Sequence, residues 1–565
     1  FNGGFNFPTW EESEPNTING WSENWSKGFT WTWTNTLNYT RTFGAHNIQA
    51  LAGYEAIRGS FRSIGGGLAN YFTTDINAWY LNTGLADPGS RTVGSSGGFN
   101  SLASAFGKVD YSFDDRYLLS LTVRRDGSSN LGAQKYGTFP AVSVGWRLSN
   151  ESFMQGLEWL DDLKLRFGWG KTGNQSIPAG NAFDRFGGGP GSSSYDIGGS
   201  NNSVTTGFAL TARGNPDTRW EENISTNIGI DASILGGKLL FVADLYQRTV
   251  DGLLFNPALP ATGGTAAPPF VNIAKMENRG LDFSVDYRDN FGDFGFDIGV
   301  AFTSYRNKII DIDGVQESFF STGGDTRIGR TSINTVGNPI GTFYGFTYDG
   351  LFRSQEEVDA HATQDGAAVG RIRFKDLNED GVINDDDLGI IGSPHPDFTA
   401  GINIGLSYKN FDFTMFLFAS QGNEIFNYNK LFEVFRFFNT NVREEVLTDA
   451  FHPTRNPEGT LPIMDENDVF SERPNSFYVE DASYIRAKQM QLGYTLPTEL
   501  GSRLGMTNVR IYIQGQNLFT ITNYSGIDPA LSNFGVRGNS DQWNGNDFGN
   551  YPSSKVFMAG ISLGL

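Results

Sequence analysis

The feature that most constrains the fold is a strict alternation of apolar and polar side chains in many separate segments. In YLLSLTVRR, Leu119 and Leu121 alternate with Ser120 and Thr122, and VRIYIQGQN and KVFMAGISLGL near the C-terminus repeat the pattern. A period of two residues is typical of a β-strand that has one apolar face. The sequence therefore predicts an all-β fold built from long, two-faced strands.

The connections between the alternating segments add a second constraint, because short and long ones follow each other in turn. The connections DD at 114–115 and KN at 409–410 are short, whereas 309–396 and 424–480 are very long. Outer-membrane barrels have short periplasmic turns and long outer loops. We therefore predict a transmembrane antiparallel β-barrel in which 309–396 and 424–480 are large extracellular loops. About fifteen strands are predicted, at residues 27–42, 46–59, 101–113, 116–127, 138–149, 162–173, 220–233, 238–250, 270–288, 294–308, 397–408, 411–423, 481–496, 507–522 and 555–565.

Composition agrees with this fold and excludes several functions. The 565 residues include 71 glycines, and 14% are aromatic, which suits strands and turns. A formal net charge of -20 excludes nucleic acid as a partner, because phosphate binding needs clustered cations. Without cysteine there is no disulfide framework and no thiolate zinc site. The chain starts at Phe1 with no initiator Met or signal peptide, so we expect it to be a piece of a longer precursor.

Several segments together resemble one known family. GNPDTRWEENISTNIGIDASILGGKLLFVADLYQRTVDGLL at 214–254, YVEDASYIRAKQMQLGYTLP at 478–497 and RIYIQGQNLFTITNYSGIDPAL at 510–531 are similar to SusC-like TonB-dependent transporters of Gram-negative outer membranes. The resemblance implies a barrel of about twenty-two strands around a plug. About fifteen or sixteen of these strands are visible here, so residues 1–565 would be the C-terminal part of the receptor barrel.

The resemblance also implies a function. A SusD-like surface lipoprotein would cover the mouth, TonB would act through the missing plug and N-terminus, and the cargo would be a glycan or a peptide. The chain would then be a barrel embedded in outer-membrane lipid, and not an enzyme. Two alternatives stay open: a secreted all-β protein that binds or degrades glycans, and a barrel that serves as a scaffold in a surface complex.

One acidic loop has the spacing of a calcium site. In DLNEDGVINDDD, the ligand positions of a twelve-residue calcium loop fall on Asp376, Asn378, Asp380, the carbonyl of Val382, Asn384 and Asp387, with Gly381 at the turn. The last position is Asp where Glu is usual. We expect a structural calcium ion here, and the alternative is a solvated acidic turn.

Aromatic and terminal residues yield further expectations. Trp31, Trp33 and Tyr39 share one face of a predicted strand, as a membrane girdle or as a sugar-stacking surface in the lumen. The last strand would carry the signal for barrel assembly on Phe557, Ile561, Leu563 and Leu565. The loop aromatics Phe426, Phe432, Phe437 and Phe438 are candidates to contact a lid or ligand.

Overall fold

The computed structural model is dominated by one large antiparallel sheet. The structure describes residues 2–6, 19–71, 75–82, 90–188, 193–196, 204–257, 264, 266–313, 317–320, 325–435, 437–438, 441–503, 505–531 and 543–564. Within these residues, no helix is long and apolar enough to cross a membrane.

Seventeen strands form the sheet. They are β1 Asn2–Asn6, β2 Gly20–Phe43, β3 His46–Ala69, β4 Thr92–Phe113, β5 Tyr117–Ser128, β6 Tyr136–Arg147, β7 Leu160–Asn174, β8 Glu221–Ile234, β9 Leu239–Phe255, β10 Val271–Phe291, β11 Phe294–Asp311, β12 Phe398–Tyr408, β13 Phe411–Gln421, β14 Tyr484–Thr495, β15 Asn508–Gln516, β16 Thr520–Thr522 and β17 Val556–Gly564.

The sheet is an antiparallel meander in which each strand pairs with its neighbours in sequence. The pairing runs without interruption from β1 to β15, β16 continues β15 along β14, and β17 pairs with β15. Among the described residues, no pairing joins β17 back to β1 or β2. The sheet is thus a long segment of barrel wall with two free edges.

The predicted alternation of connection lengths is confirmed. Residues 44–45 join β2 to β3 and residues 409–410 join β12 to β13, whereas 312–397 and 422–483 are long connections at the opposite end. The predicted loop limits of 309–396 and 424–480 therefore shift by only a few residues. Their placement outside the cell remains a prediction.

Several predicted strand limits are wrong, because the strands 27–42, 46–59 and 238–250 extend to Gly20–Phe43, His46–Ala69 and Leu239–Phe255, and two further segments differ more. The segment 507–522 divides into β15 and β16, because Asn517 has a φ of 51° and interrupts the extended backbone. The segment 101–113 starts earlier, at Thr92, in a stretch of glycine and serine that shows no apolar alternation. With β1 and β16 included, the strand count exceeds the predicted fifteen or sixteen.

The two faces of the wall differ in chemistry. Leu121, Val123, Phe167 and Ile228 are apolar and exposed on one face, which we call the outer face. The opposite face, called the inner face, carries charged side chains such as Arg166. Exposed apolar side chains over a sheet face that lacks a covering layer are typical of contact with lipid.

Aromatic rings mark the two borders of the apolar band. At the short-turn end, Phe43 stacks on His46, with ring centroids 5.1 Å apart, and Trp33 marks the other border, edge-on to Tyr54 at 5.9 Å. About ten residues separate Trp33 from Phe43, which is roughly 34 Å along a strand. At a tilt of about 40° this spans roughly 26 Å, close to the thickness of the apolar band of outer-membrane barrels. Trp31 and Trp33 therefore fit the girdle interpretation, whereas Tyr39, four residues from Phe43, lies within the apolar band.

The long connections contain short elements of their own. Their helices are α1 Gln355–Ala360, α2 Lys430–Glu433 and α3 Glu444–Asp449, and α4 Thr498–Arg503 lies in a connection at the opposite end. Their strands are Arg185–Gly187, Ser194–Asp196, Val204–Thr206, Ala209–Ala212, Ser318–Phe319, Asp325–Thr326, Gly329–Arg330, Ser332–Thr335, Thr342–Gly345, Tyr348–Leu351, Thr363–Gln364, Ile372–Phe374, Val382–Ile383, Gly389–Gly392, Glu424–Asn427, Val479–Asp481 and Asn546–Asp547. Helices α2 and α3 both lie between residues 427 and 451.

Candidate functional site

The described parts of three long connections fold together into one structure at the end of the wall, which we call the cap (the described residues within 312–397, 422–483 and 523–555). Strand Glu424–Asn427 pairs antiparallel with Val479–Asp481 and parallel with Asn546–Asp547. The hydroxyl of Thr331 adds a hydrogen bond of 2.9 Å to the Asn546 side chain. Backbone pairing across separate connections makes the cap a defined structure and not a set of independent loops.

A core of aromatic side chains holds the cap together. The rings of Phe426 and Tyr478 stack at 5.0 Å, and Phe343 meets Phe426 edge-on at 6.0 Å. All three side chains are fully buried. A buried aromatic contributes about 3–5 kcal/mol, judged by the cost of truncating it to alanine. The expectation that Phe426 contacts a lid or ligand is therefore wrong, because the ring lies inside the cap.

The other loop aromatics lie nearer the surface. Phe432 and Phe438 stack at 5.8 Å, and the guanidinium of Arg327 lies 5.0 Å from the Phe438 ring. Phe437 and Phe438 are exposed. Contact of Phe432, Phe437 and Phe438 with a lid or ligand stays a prediction.

A second core lies beneath the predicted calcium loop. Phe346 stacks on Phe374 at 4.9 Å, and Ile372 and Ile383 belong to the same buried cluster. Strand Ile372–Phe374 precedes the loop and strand Val382–Ile383 lies within it, so buried residues of this core hold the loop in place.

Within the loop, side-chain oxygens accept hydrogen bonds from backbone N–H groups. The carboxylate of Asp376 accepts from Glu379 at 2.7 Å and from Gly381 at 2.9 Å. Asp387 is fully buried and accepts from Leu377 and Asn384 at 2.8 and 2.9 Å. Gly381 has a φ of 83°, the left-handed conformation that the sixth position of a calcium loop requires.

The remaining predicted ligands follow the same pattern. The Asn378 side chain accepts from Asp380, the Asp380 carboxylate accepts from Val382, and the Asn384 side chain accepts from Asp386. In the part of the chain that the structure describes, no three carboxylate or imidazole groups are grouped as a metal site. The predicted site also includes amide and carbonyl oxygens, from Asn378, Val382 and Asn384, and calcium binding stays a prediction.

Burial perturbs two ionisable groups of the cap in opposite directions. Burial and the nearby Asp468 raise the pKa of Glu472 to about 7. Burial lowers the pKa of Lys430, although its ammonium lies 2.8 Å from the Glu480 carboxylate and donates to the Phe477 carbonyl at 2.6 Å. Burial alone would raise the pKa of Glu480, but Lys430 holds it below its usual value.

The inner face of the wall is lined by networks of ion pairs. The guanidinium of Arg166 on β7 meets Asp231 of β8 at 2.8 Å and Asp244 of β9 at 3.1 Å. On β5, Arg124 pairs with Asp126 at 2.7 Å and with Glu55 of β3 at 3.4 Å. Such networks hold neighbouring strands in register and give the inner face a hydrated, polar surface.

One buried ion pair joins the wall to the cap. Arg486 of β14 lies 2.5 Å from Asp528, and the two side chains are only 3% and 9% exposed. Asp528 also accepts from the backbone of Ala530 and Ser553, each at 2.9 Å. Sequence reasoning missed this pair, because α4, the strands β15 and β16 and part of a loop lie between its members in the chain.

The predicted assembly signal lies on the outer face of β17. Phe557, Ile561 and Leu563 are all more than half exposed. Leu565 lies outside the described residues. The structure places the three described residues together, and their role in assembly stays a prediction.

Comparison with known families decides what this wall is. The family described as "TonB dependent receptor-like, beta-barrel" matches residues 1–518 of the 565-residue chain. The chain belongs to this family. Members are barrels of the Gram-negative outer membrane, so this wall lies in that membrane and its outer face contacts lipid. This confirms the fold class predicted from the sequence.

Two relatives describe the family further. TonB-dependent receptor P3 of Formosa agariphila is 32% identical over 556 residues, covering 97% of this chain and 52% of the relative. TonB-dependent receptor SusC of Bacteroides thetaiotaomicron is 29% identical over 484 residues, covering 82% of this chain and 44% of SusC. The TonB-dependent receptor barrel is therefore SusC-like, and it spans about half the length of these relatives.

A solved structure has the same fold. The RagAB peptide transporter matches 99% of this chain and 58% of its own with a TM-score of 0.83, at 22% sequence identity. The seventeen-stranded wall and its cap thus follow the architecture of that structure.

Proposed function

We propose that this chain forms the wall, the inner lining and the outer loops of a TonB-dependent importer for glycan or peptide nutrients. Membership in the receptor family supports the proposal, and the relatives named above are called TonB-dependent receptors. TonB would act through parts of the complete protein that are not in this chain. The cap would lie outside the cell, and the chain would have no enzymatic role.

The observation that carries the proposal is the polar inner face beneath a folded cap. Arg166, Asp231 and Asp244 line this face, while the opposite face is apolar. A barrel whose only role is mechanical needs no charged, hydrated interior, whereas a route for polar nutrients does.

A SusD-like lipoprotein is the partner that we propose for the cap. The cap has its own aromatic cores, so it can present a fixed docking surface to a lid. Exposed rings such as Phe437 and Phe438 suit such a contact, because aromatic residues are enriched in interface cores. Purification of the complete protein with an affinity tag tests this, and recovery without any lipoprotein would count against the lid.

Uptake in the native bacterium tests the import itself. We expect deletion of the gene to abolish growth on one class of glycan or peptide, and the complete gene to restore it. A protonophore should stop uptake in the complemented strain, because TonB coupling needs the inner-membrane gradient. Equal growth of the deletion and parent strains on all such nutrients would refute import and favour the scaffold alternative.

We also propose that the loop from Asp376 to Asp387 binds a structural calcium ion. The twelve-residue spacing and the left-handed Gly381 support this. Calorimetric titration of the purified complete protein with calcium should give a heat signal that Asp380→Ala abolishes. An absent signal, or one that Asp380→Ala leaves unchanged, would show that the loop is a solvated turn.

A further inference from the structure

The inner face of β8 to β11 carries a group of neighbouring polar side chains that we call the amide belt. Its six members are cross-strand neighbours, namely Asn227 of β8, Tyr246 and Arg248 of β9, Asn278 of β10, and Tyr305 and Asn307 of β11. By the alternation of the strands they lie on the same side as Asp231 and Asp244 of the inner face. The amide belt is therefore directed to the interior and not to lipid.

The amide belt lies at the border between wall and cap. The side-chain oxygen of Asn307 accepts a hydrogen bond of 2.8 Å from the backbone of Ile340. The Tyr305 hydroxyl lies 3.2 Å from Nδ1 of His395. Ile340 and His395 both belong to the cap, so a nutrient that moves from the cap along the inner face meets the amide belt.

A chain of hydrogen bonds holds the Arg248 side chain in one orientation. Its Nε and Nη2 atoms both donate to the side-chain oxygen of Asn223, at 3.1 and 2.8 Å. The amide nitrogen of Asn223 donates in turn to the buried carboxylate of Glu221 at 3.3 Å, and Glu221 also accepts from the backbone of Leu254 at 3.0 Å. These contacts fix one edge of the guanidinium, and the edge that carries Nη1 is directed away from Asn223.

The Arg248 guanidinium has no carboxylate partner in the part of the chain that the structure describes. Arg248 is exposed and lies in the middle of the described sheet, between Ser225 and Asn278 of the adjacent strands. Arg124 and Arg166 on the same face, by contrast, each pair with an aspartate. A planar guanidinium that is held along one edge is suited to bind a carboxylate along the next edge, through two parallel hydrogen bonds.

The ring of Tyr246 provides a flat surface beside this guanidinium. Tyr246 and Arg248 are two residues apart on one strand, so their side chains leave the backbone roughly 7 Å apart on the same face. A Cβ atom added at Gly280 would lie 2.5 Å from Cζ of Tyr246, so the ring lies over the backbone of β10. The other side of the ring is directed to the interior, where a sugar ring can stack on it.

The amides of the belt favour a glycan over a peptide. Side-chain amides both donate and accept hydrogen bonds, as sugar hydroxyls do. The Asn278 oxygen accepts from Asn307 at 2.7 Å, and in the described part of the chain its amide nitrogen donates no hydrogen bond. Peptides are commonly bound as an added strand, which needs an exposed sheet edge. Strands β8 to β11 are paired on both sides and offer no such edge.

We propose that the amide belt binds a uronic acid residue of an acidic glycan. Its carboxylate would accept two hydrogen bonds from Arg248, its ring would stack on Tyr246, and its hydroxyls would contact Asn227 and Asn278. Asn223 is a positioning residue that acts through Arg248. The inference rests on the import proposed above, and it narrows the cargo to glycans that carry carboxylates.

Isothermal titration calorimetry of the complete protein in dodecyl maltoside tests the proposal. The probes are four-residue oligomers of galacturonate, guluronate and glucuronate, each with its carboxyl-reduced neutral form. At least one acidic oligomer should bind about thirtyfold more tightly than its reduced form, which is about 2 kcal/mol and typical of hydrogen bonds to charged groups. Arg248→Gln should abolish this difference. Arg248→Lys should keep only part of it, because lysine keeps the charge and loses the planar fork.

Matched variants separate the site from a general effect on the barrel. Arg279→Gln is the control, because Arg279 is an exposed arginine on the outer face of β10, next to Asn278, and this variant should bind like the wild type. Asn223→Leu should weaken binding of the acidic oligomer and leave the reduced form unchanged. Tyr246→Ala should weaken both forms equally, because stacking does not depend on the carboxylate. Heat-modifiable migration shows that each variant has folded.

Three results would overturn the proposal: no binding of any acidic oligomer, equal binding of the acidic and reduced forms, or an unchanged preference in Arg248→Gln. A tetrapeptide and its C-terminally amidated form are the last probes. Binding of the free peptide that depends on Arg248, without binding of an acidic oligomer, would identify a peptide site and would overturn the proposal as well.

Growth of the deletion strain separates this inference from import itself. A growth defect of that strain, together with no preference of the purified protein for acidic oligomers, would refute the site and leave import standing. Normal growth of that strain, together with acid-selective binding that Arg248→Gln abolishes, would refute import and leave the site standing.

Discussion

Removal of the cation from the Arg486–Asp528 ion pair between wall and cap should lower the free energy of opening of the cap. Arg486→Met leaves the Asp528 carboxylate buried without its cation, and breaking a buried pair in this way costs about 3–5 kcal/mol. Asp528 keeps two backbone hydrogen bonds, so we expect the low end, about 3 kcal/mol. Every 1.4 kcal/mol is about tenfold, so amide protection in residues 523–531 should fall about a hundredfold.

Hydrogen exchange followed by mass spectrometry of the purified protein measures this change directly. Lys238→Met is the matched control, because Lys238 pairs with Asp289 at 2.8 Å but is half exposed. An exposed pair is worth about 0–1 kcal/mol, so the control should leave the cap unchanged. Equal protection of the cap in Arg486→Met and the control would refute the reasoning that this pair fastens cap to wall.

Three further predictions follow from the same structure. Leu121→Arg places a charge on the lipid face and should destabilise the barrel by about 2–4 kcal/mol. The adjacent variant Thr122→Arg, on the inner face, should have little effect. Unfolding of each variant by denaturant, followed by heat-modifiable migration on a gel, measures the difference. Phe346→Ala should destabilise the cap by about 3–5 kcal/mol, so that limited proteolysis cleaves the cap while the wall stays intact. Val382→Ala is the control, because that residue is 44% exposed. Equal proteolysis of the two variants would contradict the assigned core. The pKa of Glu472 in the folded protein is about 7, above its usual 4.5. The contribution of Glu472 to stability is therefore complete below about pH 4.5 and is lost as the pH rises through about 7. Hydrogen exchange near Glu472, corrected for intrinsic rates, should show this loss in the wild type and not in Glu472→Gln.

The wall could be predicted from the sequence because its determinants are local. Alternation along segments such as 117–125 fixes which side chains face lipid, and DD at 114–115 marks a turn without reference to distant residues. The strand ends were less predictable. Residues 92–100 are rich in glycine and serine, and they are extended because they pair with β3, not because of their own pattern.

The cap could not be predicted in the same way, because its contacts join residues far apart in the chain. Phe426 has the same local sequence character as an exposed ligand-binding ring, yet Tyr478 and Phe343 enclose it. Arg486 and Asp528 meet only once the wall and the last loop are both in place. The predicted calcium loop is a local motif, so its spacing alone was enough to suggest it.

Single cysteines on the two faces of one strand test the central claim that the inner face is a water-filled route for nutrients. The chain has no cysteine of its own, so Ser284→Cys on the inner face of β10 and Val285→Cys on the outer face can each report one site. In the complete protein, with any other cysteine replaced by serine, we expect a membrane-impermeant maleimide to modify Ser284→Cys and reduce nutrient uptake. Val285→Cys should stay unmodified, with normal uptake. Equal labelling of both positions, or unchanged uptake after full modification of Ser284→Cys, would contradict the assignment of the inner face as the route.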